Sequence, residues 1–96
     1  MNALDALGSP IRREILNALR RAPMPVGAIA DHFSVSRPAI SRHLRVLQDA
    51  GLVESNERGT QNFYAVRIQG FRAVREYIDS FWDAALLRLE ELASQQ

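Results

Sequence analysis

A chain of 96 residues, 47% hydrophobic and 24% charged, is long enough for one small domain and too apolar for a disordered tail. It has no cysteine, which excludes disulfides, thiolate metal sites and a cysteine nucleophile together. The net charge is only +1, but nine Arg stand against five acids between residues 9 and 67 and three Arg against five acids from residue 68 onward, so the middle is basic and the tail acidic.

No signal-peptide succession opens the chain and no apolar run approaches membrane-spanning length, so the expectation is a cytoplasmic protein without membrane attachment. Residues 2–7 form a short helical candidate with Leu4 and Leu7 on one side; a helix this short must pack on something. Gly8 breaks it, and Ser9-Pro10 opens a second helix to about residue 21 whose inward face is Ile11, Ile15, Leu16 and Leu19. Arg12, Arg13, Arg20 and Arg21 lie elsewhere on that helix and read as a solvated face. Ala22-Pro23-Met24-Pro25 reads as a loop, because each proline removes a donor and restricts the residue before it. Residues 26–33 then predict a third helix with Val26, Ile29, Ala30 and Phe33 inward, followed by a turn at Ser34-Val35.

The informative stretch is 36–53. Ser36 is placed as an N-cap, Pro38 follows in the first turn and Gly51 stops the helix. Ile40, Leu44 and Leu47 form one buried stripe. Arg37, Ser41, Arg45 and Gln48 fall in line at i, i+4, i+8 and i+11 with Arg42 beside them, and no acid interrupts that face before Asp49. Such a helix is half buried and half presented to something anionic. With the short helix and turn before it, it matches a helix-turn-helix unit.

Residues 52–55 and 63–66 are β-prone around a polar segment centred on Gly59, which predicts a two-stranded hairpin with Glu57, Arg58, Gly59, Thr60 and Gln61 at its tip. A hairpin directly after a recognition helix is a wing. From about residue 70 to 93 one long helix closes the chain. Phe71, Val74, Ile78, Phe81, Ala85, Leu89 and Leu92 repeat by threes and fours, and Tyr77, Trp82 and Leu86 widen the stripe beyond what so small a domain can cover. A partner subunit is the simplest cover. The fold class expected is therefore mainly α with a small β-hairpin: a single winged helix-turn-helix domain over 1–96, with 26–50 as helix-turn-helix, 52–67 as wing, and 1–8 and 70–96 as dimerisation helices.

Three segments, LGSPIRREILNAL at 7–19, AIADHFSVSRPAISRHLRVLQDAGLV at 28–53 and ERGTQNFYAV at 57–66, carry a resemblance to the ArsR/SmtB family of winged helix-turn-helix transcriptional regulators. The Phe81-Trp82 pair resembles a branch without the metal-binding cysteines. The resemblance implies a homodimer joined through the first and last helices that binds a roughly palindromic double-stranded DNA operator, most simply as a repressor. Carried over by position, Arg37, Pro38, Ser41, Arg42 and Arg45 would face the major groove, with Ser36 donating to phosphate and Gln48 extending the row, while Arg58, Gly59, Thr60 and Gln61 would lie at the minor groove. Leu4, Leu7, Phe71, Val74, Ile78, Phe81, Trp82, Ala85 and Leu89 would form the dimer interface. An α-helix fits the major groove, and Arg is the commonest reader of guanine.

Metal sensing in the family uses Cys in the third helix or Asp, His and Glu in the last; here the last helix has Asp79, Asp83, Glu90 and Glu91 but no His. Carboxylates alone make at most a weak hard-cation site, so neither metal nor cofactor is expected. His32 reads as a surface residue and His43 as one that packs or bonds a backbone or phosphate group. No nucleophile with a base, paired carboxylates in an apolar setting or phosphate loop can be assembled, so an enzyme is the weakest class. The other reading of different class is a winged-helix interaction module that binds a protein through its apolar last helix. A small-molecule or protein effector has room in either, and the spacing names none.

Overall fold

The structure, a computed structural model, describes residues 2–95; Met1 and Gln96, the outer ends of the two dimerisation segments, lie outside the described residues. Local caps set most helix boundaries. α1 (Ala3–Ala6) opens on a reciprocal capping box between Asn2 and Asp5. α2 (Pro10–Arg21) starts at Ser9, whose hydroxyl accepts from the Arg12 amide at 3.3 Å. α4 (Arg37–Asp49) starts the same way at Ser36, which accepts from the Ala39 amide at 3.3 Å. It ends with the Leu52 amide donating to the Leu47 carbonyl and the Gly51 amide to Gln48, both at 3.0 Å. That pair of bonds is a Schellman motif, and Gly51 supplies the left-handed residue it requires, with φ at 80°.

α3 (Val26–Ala30) is shorter than expected. The His32 and Phe33 amides donate three residues back, to Ile29 and Ala30, so the chain tightens out of the α-helix before Phe33. The larger correction concerns the sheet. Met24–Pro25, expected as loop, forms β1 and pairs antiparallel with β3 (Gln61–Val66), which also pairs with β2 (Val53–Arg58); the order is β1-β3-β2. The wing thus has three strands rather than two. Pro25 is tolerated because β1 is an edge strand that need not donate outward. The hairpin also runs further than expected, with Glu57 opposite Asn62 and Arg58 opposite Gln61. Only Gly59 and Thr60 remain as the loop, with positive φ at Gly59 alone, as a type II′ turn needs.

The core gathers Ile15, Leu16 and Leu19 from α2, Ile29 from α3, Ile40, Leu44 and Leu47 from α4, and Leu52 and Val53 at the foot of the wing. From α1 the buried residue is Ala6; Leu4 is exposed and Leu7 half-buried. The single turn therefore docks through its smallest side chain, which permits close approach, and turns Leu4 outward. A 3₁₀ turn (Ile68–Phe71) leads into α5 (Arg72–Ser94). Its first turns are anchored by half-buried Phe71 and by Val74, so these two, assigned to the dimer face, are already engaged within their own chain. Beyond Val74 the helix projects, and the molecule measures 65 × 26 × 24 Å.

Candidate nucleic-acid interface

The stripe of Ile40, Leu44 and Leu47 fixes the rotation of α4 about its axis by burying all three side chains. Everything on the opposite side follows from that rotation. Ser36, Arg37, Pro38, Ser41, Arg42, Arg45 and Gln48 are all exposed, and no carboxylate stands among them before Asp49 in the last turn of α4. Arg37 sits at the start of α4 and its guanidinium leans over Gly27 of α3. It borders a cleft of about 340 Å³ whose far wall is Thr60, Gln61 and Asn62 of the wing, so the start of α4 and the wing tip face each other across one open space. Gln48, at the other end of the row, donates to the Ser55 hydroxyl at 3.2 Å and ties α4 to β2.

Arg58, Gly59, Thr60 and Gln61 are exposed at the end of the hairpin. The Arg58 guanidinium lies over the Phe63 ring, 4.7 Å from its centroid, which holds the cation by its interaction with the ring face. The wing is thus a continuous ladder with a two-residue tip rather than the five-residue tip expected from the sequence.

Three arginines behind the interface, Arg12, Arg13 and Arg67, make contacts that have no counterpart in the sequence pattern. Arg12, read there as solvated, is half-buried and donates through Nε to the Ala6 carbonyl at 2.7 Å and through Nη2 to the Asp5 carbonyl at 3.4 Å, while Nη1 lies 3.5 Å from His43 Nδ1. His43 therefore packs half-buried against a side-chain cation. Burial first, then the charges of Arg12 and Arg42, hold its pKa below the usual imidazole value. A neutral ring can accept at Nδ1, so one guanidinium links the end of α1 to the recognition helix. Arg13 donates to the Leu7 carbonyl at 2.7 Å and closes the same corner. At the other end of α4, Arg67 Nη1 donates to the Gly51 carbonyl at 3.3 Å and the Arg67 amide to Leu52 at 2.9 Å, which joins the helix stop to the end of the wing. Charge in sequence marks none of these, because the acceptors are backbone carbonyls and one imidazole ring that only the fold brings near. His32 is exposed. Among the described residues no group of three or more His, Asp or Glu side chains could hold a metal ion, and no helix is long and apolar enough to cross a membrane.

Residues 9–55 match the family described as bacterial regulatory protein, arsR family. Over 94 residues the chain is 38% identical to the helix-turn-helix transcriptional regulator Rv2034 of Mycobacterium tuberculosis, covering 98% of this chain and 88% of that protein. It is 37% identical over 65 residues to the transcriptional repressor SdpR of Bacillus subtilis, covering 68% and 72%. Among solved structures, a possible transcriptional regulator for arsenical resistance superposes with a TM-score of 0.79 at 38% identity, over 95% of both chains. The homodimeric winged helix-turn-helix DNA-binding domain of Mb0332 from Mycobacterium bovis does so with a TM-score of 0.66 at 26% identity, over 82% of this chain and 73% of that one. With near full-length identity above a third, a match to the family over residues 9–55 and a superposition over 95% of the chain, the chain belongs to the ArsR family of winged helix-turn-helix transcriptional regulators.

Proposed function

We propose that this regulator works as a homodimeric repressor that recognises a two-fold symmetric duplex operator, one α4 per half-site in the major groove and the wing tip at the adjacent minor groove. The observation that carries this reading is the uninterrupted exposed row from Arg37 to Gln48, which presents Arg37, Arg42 and Arg45 with no carboxylate among them. Arg42 and Arg45 are assigned to base edges or flanking phosphates, and Ser36 and Ser41 to phosphates, where hydroxyls and the amides at a helix start position a protein without reading sequence. Pro38 fixes the first turn that approaches the groove. Gln48, held by Ser55, sets the angle between helix and wing. Arg58, Gly59, Thr60 and Gln61 are assigned to the minor groove, where a guanidinium is favoured by the negative potential of a narrow groove.

Occupancy of a promoter by such a dimer blocks polymerase, which makes repression the simplest consequence. The homodimer is assigned to the projecting part of α5, where Ile78, Phe81, Trp82, Ala85 and Leu89 are exposed along one side, together with Leu4 and Leu7 of α1. The domain is read as one unit, 26–50 reading DNA, 52–67 as wing, and 1–8 with 70–96 joining the subunits.

The test is fluorescence anisotropy with duplexes tiled across the promoter of the protein's own gene at several salt concentrations. One duplex should bind more tightly than the rest, and log K should fall linearly with log salt, by roughly 0.9 per phosphate neutralised. Affinity indifferent to both salt and sequence would reject DNA recognition and leave α5 as a docking helix for another protein.

A further inference from the structure

The strand of a duplex that separates a major groove from the adjacent minor groove has to pass between whatever fills the two. In this chain the start of α4 and the wing tip face each other across a cleft of about 340 Å³. Among the described residues that line it, Arg37 is the one that carries a charge.

Arg37 is the first residue of α4. Side chains on a helix tilt toward its N-terminus, so this one reaches back past the helix start. A Cβ placed on Gly27 would lie 3.7 Å from its Nη1 and 3.8 Å from its Cζ. The guanidinium therefore rests against bare α3 backbone, at the α3 end of the row that Ser41, Arg42 and Arg45 continue. It makes no ion pair among the described residues. On the facing wall Thr60, Gln61, Asn62 and Tyr64 add hydroxyl and carboxamide groups. Met24 and Pro25 pair with Tyr64 and Phe63, so the strand leading into α3 is tied to the strand that carries this wall, and the two sides of the cleft are held at a fixed spacing.

We propose that the cleft seats one backbone phosphodiester of the duplex, with Arg37 as its clamp and Gly27 as the residue whose missing side chain gives the guanidinium its place. The proposal rests on the DNA reading above and names one contact within it: Arg37 fixes the register of the protein on the duplex and reads no base. A single negative charge between one guanidinium and several neutral donors, with no carboxylate to repel it, is the arrangement that phosphate contacts use. A base edge is the poorer match. The bases lie at the floor of the groove that the outer face of α4 enters, whereas the backbone forms the rim between that groove and the wing.

Arg37 is exposed and outside the core, so Arg37→Ala leaves the fold intact. It should weaken binding of the tightest-binding promoter duplex roughly tenfold per half-site, as loss of a charge-assisted contact does. The slope of log K against log salt should fall by about 0.9 for each half-site, and the ranking of single-base operator variants should not change. A duplex series carrying one neutral methylphosphonate at a time locates the phosphate: at one position in each half-site the substitution should weaken wild type and leave Arg37→Ala indifferent. Gly27→Leu, which takes the guanidinium's place, should lose about as much as Arg37→Ala and add little to it in the double variant. An altered base preference in Arg37→Ala would make Arg37 a base reader and overturn the proposal. So would a methylphosphonate series in which every position affects both proteins alike. Inorganic phosphate that binds the cleft as tightly with duplex present as without it would assign the site to a free anion and overturn it too. Binding by wild type that responds to neither salt nor sequence would instead reject the DNA reading on which the proposal rests.

Discussion

Arg42 and His43 are neighbours in sequence and differ in what they meet: Arg42 is exposed on the outer face of α4, and His43 is half-buried against Arg12. Arg42 lies in the first half of the recognition helix, the part that reaches base edges in helix-turn-helix complexes. Arg42→Ala should weaken operator binding by about 1–3 kcal/mol and relax the preference at one or two base positions, as loss of a bidentate contact does. Competition with single-base operator variants would check it; equal loss on every duplex would make Arg42 a phosphate contact. His43 leads to a prediction about pH. Its folded pKa is lowered from 6.5 by burial and by Arg12 and Arg42, so the unfolded chain takes up the proton first. The stabilisation is therefore complete above about pH 6.5 and is lost as pH falls through the lowered folded value. The melting temperature of wild type should drop more between about pH 7 and pH 5 than that of His43→Gln, whose carboxamide can still accept from Arg12 without titrating. Identical pH profiles would show that His43 carries no linkage.

Among the elements, the join between the end of α4 and the 3₁₀ turn is the tightest. A Cβ on Gly70 would overlap the Gly51 carbonyl and crowd Leu52 Cα, both backbone atoms that cannot swing aside. Gly70→Ala should therefore cost about 1–3 kcal/mol, the usual range for forced overpacking, whereas Gly59→Ala at the wing tip meets no neighbouring atom and costs only the strain of φ 63°. Chemical denaturation of the two variants would rank them, and an unaffected Gly70→Ala would mean that the two backbones separate easily. Nothing in the sequence distinguishes Gly70 from any other loop glycine. By contrast, α2 and α4 were legible to within a residue or two, because Ser9, Ser36 and Gly51 act on their own neighbours. β1 was not legible: two residues have no periodicity, and Met24–Pro25 is a strand only because β3 lies beside it. The wing strands outran their apolar patches because an exposed antiparallel ladder closes its hydrogen bonds whatever the side chains. On the candidate site, the outward row of α4 was readable from the buried stripe alone, since one face of a helix determines the other. The inward turn of Arg12 was not, because its partners are carbonyls of α1 and a ring 31 residues away.

At the scale of the molecule, the single chain exposes more surface than its mass requires. Its accessible area is 7006 Å² for 10.8 kDa, against roughly 5,500 Å² for a folded monomer of that size. The excess of about 1,500 Å² per chain, doubled, falls within the roughly 2,000–5,000 Å² buried by obligate homodimers. It is concentrated on α5, where Phe81 and Trp82 are 60% and 66% exposed and Phe81 meets Tyr77 edge-on at 5.0 Å in a preformed aromatic pair. Trp82→Glu should consequently convert the protein to a monomer in sedimentation while leaving the helical signal unchanged, because Trp82 lies outside the core that holds α2, α3 and α4 together. Operator affinity should then fall by about 10²–10⁴-fold, since each half-site must be bound without the effective concentration its twin supplies. A half-site duplex, which never profited from the second subunit, should lose far less. If Trp82→Glu stays dimeric, α5 is not the interface; if it is monomeric yet binds the full operator as tightly as wild type, recognition needs only one subunit, and the symmetry assigned to the operator fails with it.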